Sequence, residues 1–380
     1  MSASPHILHV FSTFGAGGAQ LRMAGVINAL GPAWSHSVMA MDGNFGAAYK
    51  LDSACRVELV EPPPQDGAFG RAWAFRRTLQ ARPPALLLTY NWGAIEAVLG
   101  GIVSRACPVI HQEHGFGPDE AVALKRRRVL ARRVLLNRIL GTVVPSRTLF
   151  EIALTQYRLD RGKVCLIRNG TDTERFQPRR DYAIRRQWGV ADDAVLFGYV
   201  GNLRREKNLG LLLRAFHHSQ AENAVLALVG SGSCNSELKI LARDLGVDSR
   251  VIFAGAVEDP APCYAAFDVF AMSSSTEQTP MALLEAMASG LPAVCTAVGD
   301  TADLLGTRES PAVVPSGDET AYAASIRELA ARPDLRAALG AANRCRCTGH
   351  FSARGMVDQY AALWESAVRR PAPLFAPGTN

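Results

Sequence analysis

Short apolar runs alternate with helical patterns along almost the whole chain. In the first half the runs ILHVFSTF (7–14), HSVMAM (36–41), ALLLTY (85–90), PVIHQEHG (108–115) and KVCLIRNG (163–170) are separated by stretches such as AQLRMAGVINAL (19–30) and AIEAVLGGIVSRA (94–106). In the intervening stretches apolar positions recur every three to four residues, the signature of a helix with one buried face. Strands of continuous apolar character between such helices predict a parallel sheet covered on both sides. A polar, irregular piece, TDTERFQPRRDYAIRRQWGVADD (171–193), interrupts the pattern. A second series follows, with strands at AVLFGYVG, AVLALVGSG, RVIFAG and YAAFDVFAM and helices around LGLLLRAFHH and SELKILARDLG. The chain thus predicts two doubly wound, Rossmann-like α/β domains, 1–178 and 179–352, facing each other across a cleft. The last segment, 353–380, carries a helical pattern with Met356, Val357, Tyr360, Leu363 and Trp364 on one apolar face, followed by a tail.

Length agrees with two cores, because 380 residues are many for one. No apolar run reaches the roughly 20 residues of a membrane span, and the first residues read as a strand rather than a signal peptide. Eight cysteines show no C-x-x-C pair and no zinc spacing, so they read as reduced thiols of a cytoplasmic protein. Charge is uneven: the net of +6 divides into +8 over residues 1–178 and −2 over 179–380. Much of the excess lies in KRRRVLARRVLLNRIL (125–140), where seven cations interleave with Val129, Leu130, Val134, Leu135 and Ile139. Two readings of this amphipathic helix stay open, a solvated face and a surface for anionic membrane. Aromatic interleaving and nucleic-acid motifs are absent, so no nucleic-acid partner is expected.

Candidate chemistry concentrates in TEQTPMALLEAMASGLPAVCTAV (276–298), which reads as loop, helix, stop and strand. Pro280 suits the first helical turn, and Gly290 with Pro292 ends the helix. Glu277 precedes the helix and Glu285 lies on its second turn, leaning toward the helix start, whose free N–H groups favour an anion. In the first domain, Gly15-Ala16-Gly17-Gly18-Ala19-Gln20 follows the first strand, where glycines permit positive φ and close backbone approach to a ligand; a plain tight turn is the other reading. Arg204, Arg205 and Lys207 lie on the loop after a strand, where they would neutralise a diphosphate or simply stay solvated. His114, in HQEHGFG (111–117), is either a structural hydrogen-bonder or a cleft residue. G-x-G-x-x-G, P-loop, H-E-x-x-H and D-x-D patterns are all missing, so no metal or other cofactor is expected.

Taken together these stretches resemble the retaining glycosyltransferases of family 4, which have the GT-B fold. The resemblance rests on Gly17-Gly18-Ala19-Gln20, on IRNGTDTERFQP (167–178), on residues 200–209, on Val229-Gly230-Ser231-Gly232, on residues 250–255 and on the E-x7-E spacing of Glu277 and Glu285. It implies a metal-independent enzyme in which a nucleotide-diphosphate sugar is the donor substrate. Lys207 and a nearby arginine would hold the diphosphate, Glu285 would accept both ribose hydroxyls, and Glu277 with the N–H groups of Gln278, Thr279, Pro280's neighbour Met281 and the loop between would face the donor sugar. His114 would orient a sugar hydroxyl, Gly17 and Gly18 would lie against the diphosphate, and the C-terminal helix would return to the first domain. Two departures stand out: the family's G-R-L is Gly201-Asn202-Leu203, and Gln278 replaces a frequent glycine. Residues 89–97 with Glu113-His114-Gly115 look like a bacterial subgroup of exopolysaccharide systems, with Asn91 as an acceptor contact. The expected acceptor is a glycan or lipid-linked sugar, met at the inner face of the plasma membrane through the basic helix. Competing readings are a sugar-nucleotide epimerase, a phosphorylase of the same fold, or a non-catalytic nucleotide-sugar-binding subunit.

Overall fold

A computed structural model describes residues 4–63, 67–115, 124–307 and 311–369. The chain separates into two compact units, one made of residues up to 168 together with those from 356 onward, the other of residues 169–355. The sequence pattern had suggested a boundary at 178/179. The first unit holds strands β1 (His6–Phe11), β2 (Ser35–Ala40), β3 (Arg56–Val60), β4 (Leu86–Tyr90), β5 (Val109–Gln112), β6 (Gly141–Val144) and β7 (Val164–Leu166). They form one sheet in the order β3-β2-β1-β4-β5-β6-β7, with every pairing parallel. The second unit holds β8 (Val195–Val200), β9 (Ala224–Val229), β10 (Val251–Gly255), β11 (Val269–Met272), β12 (Ala293–Thr296) and β13 (Val313–Val314), in the parallel order β10-β9-β8-β11-β12-β13.

Apart from the exposed edge strand β3, the strands are buried on both faces, which is why most of them read as apolar runs. Along β8, Val195, Phe197 and Tyr199 enter one core while Leu196 enters the other. Gly198 leaves the second face open for Phe267, whose ring a Cβ there would meet at 2.2 Å. In the first unit Ile7 and Phe11 pack on the side of Trp34, whereas Leu8 and Val10 pack on the side of Phe75. The helix Ala353–Arg369 completes the first of these cores: Met356, Tyr360, Leu363, Trp364 and Ala367 are buried against the cluster of Ile7, Phe11 and Trp34, and Val357 flanks it.

Three local expectations differ from the structure. The stretch 171–193 is not irregular throughout; Asp181 caps a short helix, Tyr182–Gln187, by accepting from the N–H groups of Ala183 and Ile184. Arg185 in that helix is fully buried and donates to Asp268 and to the carbonyls of Ala266, Ala191 and Ala194. A hydropathy reading scores such an arginine as solvent-facing, because burial is decided by partners distant in sequence. Pro280 is the residue before the helix Met281–Ala288 rather than its first member. The basic helix runs Arg126–Leu136, shorter than the pattern, and Arg132 on it is buried. Among the described residues no helix is long and apolar enough to cross a membrane.

Candidate active site

Both sheets reverse direction of growth beside their first strand, and ligands of open parallel sheets bind outside the carboxyl ends at such a switch point. In the second unit the strands flanking it are β8 and β11, and the loops leaving them are 201–208 and 273–280. These loops meet. Lys207 Nζ contacts Glu277 Oε1 at 2.5 Å, and Ser274 Oγ donates to the same oxygen at 2.8 Å. Ser273 Oγ lies 3.0 Å from the Lys207 carbonyl and 3.1 Å from that of Asn208, while Ser275 donates its N–H to the Glu206 carbonyl at 2.9 Å. Ser273 and Ser275 therefore tie the two loops together, while Ser274 braces Glu277 within its own loop; all three lie outside every motif read from the sequence.

Backbone geometry fixes the loop ends. Gly230, at φ +139, lies so close to Gly201 that a Cβ would sit 1.9 Å from its carbonyl oxygen, and Asn208 takes the left-handed conformation at φ +46, which asparagine tolerates well. Gly299, at φ +51, presses on the carbonyls of Glu277 and Gln278, where a Cβ would come within 2.2 Å of the former. The Asp300 N–H donates to the Gln278 carbonyl at 3.1 Å. Arg204 and Arg205 are exposed and have no ion pair among the described residues. Gln278 has a buried Oε1 with no hydrogen-bond partner among the described residues. Thr279 and Pro280 are buried, and Met281 opens the helix, whose start has no side-chain cap.

Glu285, on that helix, accepts from the Tyr264 hydroxyl at 2.8 Å. Burial raises its carboxyl above the usual range, against the opposing pull of that hydrogen bond. The structure thus brings Lys207, Glu277 and Gln278 onto one pair of loops and places Glu285 on the adjoining helix with Tyr264 rather than in contact with Lys207.

In the first unit the corresponding switch point lies between β1 and β4. Gly17 precedes the helix Gly18–Leu30 with φ −115, so the positive φ expected of this turn is not used. A Cβ on Gly17 would meet only the end of the flexible Gln20 side chain, at 2.6 Å from Oε1, and Gly18 faces open space, so local packing requires neither glycine. Gly93 after β4 lies against Ser12 after β1, with 2.3 Å left for a Cβ. His114 is held beside these turns: its N–H donates to Asn91 Oδ1 at 2.8 Å, its ring stacks on Tyr90, and Arg22 Nη2 reaches its Nδ1 at 2.8 Å. Asn91 is thereby a support for His114. Phe116 and Gly117, at the end of the same motif, lie outside the described residues. Glu113 is fully buried and receives two bonds from Arg132, at 2.9 and 3.2 Å. Burial would raise the Glu113 carboxyl, but the neighbouring His111, 3.5 Å away, and the Arg132 charge outweigh it and hold it low.

Comparison with known proteins matches both halves of the chain. Residues 17–170 match the family described as glycosyl transferase 4-like domain, and residues 181–346 match glycosyl transferases group 1. A D-inositol 3-phosphate glycosyltransferase of Stackebrandtia nassauensis is 27% identical over 78% of this chain and 72% of its own length. The enzyme of the same name from Geodermatophilus obscurus is 30% identical over 72% of this chain and 65% of its own. Among solved structures, Anabaena Alr3699/HepE in complex with UDP superposes with a TM-score of 0.83 over 95% of this chain and 100% of that one, at 19% identity, a likeness of fold.

Proposed function

The chain belongs to the glycosyltransferases in which a 4-like domain precedes a group 1 domain in the GT-B fold, and from this premise we propose that it moves a sugar from a nucleotide-diphosphate donor to a glycan or lipid-linked acceptor with retention of configuration and without a metal. The observation that carries the donor assignment is the meeting of the β8 and β11 loops on the Lys207–Glu277 contact, at the place where an open sheet binds ligands. Lys207 and the unpaired Arg204 or Arg205 take the diphosphate, and the free N–H groups at the start of Met281–Ala288 add dipole to that end. Glu285 accepts the ribose hydroxyls; Glu277, Gln278 and the N–H of Met281 face the sugar. In the first unit His114 donates to a sugar hydroxyl, and Gly17 and Gly18 admit the diphosphate. A bound UDP in the Anabaena structure supports a uridine donor.

In this mechanism the acceptor oxygen bonds to the anomeric carbon on the face from which the phosphate oxygen leaves, and the departing phosphate takes the acceptor proton. Cations that stabilise the leaving diphosphate then supply most of the catalysis, and no covalent nucleophile is needed. The helix Arg126–Leu136 is assigned to the membrane surface that carries the acceptor. Arg126, Arg127, Leu130, Arg133 and Val134 are exposed on one stripe at helical spacing, and the three cations on it would be drawn to the anionic lipid of such a surface.

A panel of nucleotide sugars tests the reading. A cognate donor at 100 times its Kd stabilises the folded chain by about 2.7 kcal/mol, and incubation with donor and acceptor lipid releases nucleoside diphosphate with an α-linked product from an α-linked donor. Product formation without acceptor would indicate an epimerase, and dependence on inorganic phosphate a phosphorylase. Stabilisation without turnover on any acceptor would leave a binding subunit.

A further inference from the structure

Arg22 was not singled out by any motif, yet it makes the one side-chain contact that determines how His114 can act. Its Nη2 lies 2.8 Å from His114 Nδ1. A guanidinium has donors and no acceptor. Nδ1 must therefore offer its lone pair, and the proton of a neutral ring must sit on Nε2. That Nε2 is buried and has no hydrogen-bond partner among the described residues. A buried N–H without an acceptor costs roughly 1–3 kcal/mol, so it is a group that gains from a ligand oxygen.

The surroundings fix the ring as well as its proton. Asn91 Oδ1 holds the main chain, and Tyr90 stacks on one face with centroids 5.9 Å apart and planes 15° apart. The titratable and charged groups around the ring among the described residues are Arg22 on the first helix, Tyr90 at the end of β4 and His111 on β5. Burial first, then the charge of Arg22, push the imidazole well below its ordinary pKa. Arg22 itself has no carboxylate partner among the described residues. A half-buried guanidinium is thus committed to a neutral histidine, which is a poor way to stabilise a fold and a direct way to fix a tautomer.

We propose that Arg22 is a positioning residue that locks His114 in the Nε2–H tautomer, so that the ring serves as a fixed hydrogen-bond donor to a hydroxyl of the donor sugar and not as a base. This rests on the assignment of His114 to the donor sugar. Ring nitrogen NMR spectra of the wild type, Arg22→Met and Arg22→Lys, with His114→Gln for assignment, read the tautomer without reference to activity. The wild type is expected to show an unprotonated Nδ1 and a protonated Nε2 across pH 6–8 (a range of about two units around the usual histidine value). Arg22→Met is expected to give mixed tautomers and a fall in kcat of roughly ten- to a hundred-fold, the scale seen for partners that orient metal-bound histidines, with donor KM little changed. Arg22→Lys keeps one donor and is expected to recover part of the tautomer and part of the rate. An Nδ1–H tautomer in the wild type, or an unchanged tautomer in Arg22→Met, overturns the proposal; so does a rise in donor KM at constant kcat, which would make Arg22 a ligand contact. If Arg22→Met does not fold, the wild-type and Arg22→Lys spectra decide. A chain that transfers no sugar would still show the locked tautomer, so the two readings fail separately.

Discussion

Lys207 and Glu277 stand 70 residues apart in sequence and meet because β8 and β11 are neighbours in the sheet. Each is partly buried, with side-chain exposures of 25% and 13%, so removing either leaves a charge without its partner. Lys207→Ala is expected to lower kcat/KM by about 10²–10³-fold, the scale of one lost electrostatic contact to a developing charge; steady-state release of nucleoside diphosphate measures it, and a change below about three-fold would remove Lys207 from the site. Glu285 gives a prediction of opposite sign for stability. Its folded pKa is raised by burial, so between the unfolded and folded values the native state binds the extra proton and stability falls as pH rises. Ligand-free Glu285→Gln should therefore melt higher than the wild type at pH 7, with the difference fading as pH falls through the ordinary carboxylate range; equal melting curves at both pH values would contradict the burial argument. Lys207, Glu277 and Glu285 were picked out of the sequence by their spacing within the strand–loop–helix pattern. Ser273, Ser274, Ser275 and Arg22 were not, because a serine or arginine on a polar loop or helix carries no pattern until its partner is known.

At the scale of one element, the basic helix Arg126–Leu136 carries two kinds of arginine that its composition concealed. Arg126, Arg127 and Arg133 are exposed, while Arg132 is buried beneath Trp92 and Tyr157 with its fork on Glu113. Replacing the three exposed arginines with glutamine is expected to abolish binding to anionic vesicles, at about 1 kcal/mol per cation near the surface, and to leave the melting temperature unchanged. Arg132→Gln is expected to do the reverse, costing about 3–5 kcal/mol through the stranded Glu113 carboxylate, with vesicle binding retained by the folded fraction. Vesicle sedimentation and denaturant unfolding separate the two. Helical periodicity located this helix, but it could not tell which cation faced inward, since its five arginines are alike and sit on neighbouring positions.

At the scale of the molecule, the last helix belongs to a core whose other members come from residues 7–167. Trp364 is fully buried and meets His9, Trp34 and His36 edge-on, and Tyr360 donates to Gln112 at 3.1 Å. Trp364→Ala is expected to destabilise the first unit by about 3–5 kcal/mol. Because residues 169–355 have cores of their own, nucleotide binding by the second unit should survive the same substitution; calorimetry of the variant with UDP reads both effects, and a parallel loss of binding would contradict this separation.

The sequence by itself determined the two parallel sheets, since strands buried on both faces must be apolar throughout and the helices between them must carry one apolar stripe. It also determined the chemistry present at the carboxyl ends of the strands: two glutamates, a lysine with arginines, a histidine and glycines. Tertiary structure alone decided which of these touch. Lys207 finds Glu277, Glu285 finds Tyr264, Arg132 finds Glu113, and Arg22 finds His114. Each pair joins residues on different elements, and the energy of a buried charge or a buried N–H depends on a partner that no local spacing specifies.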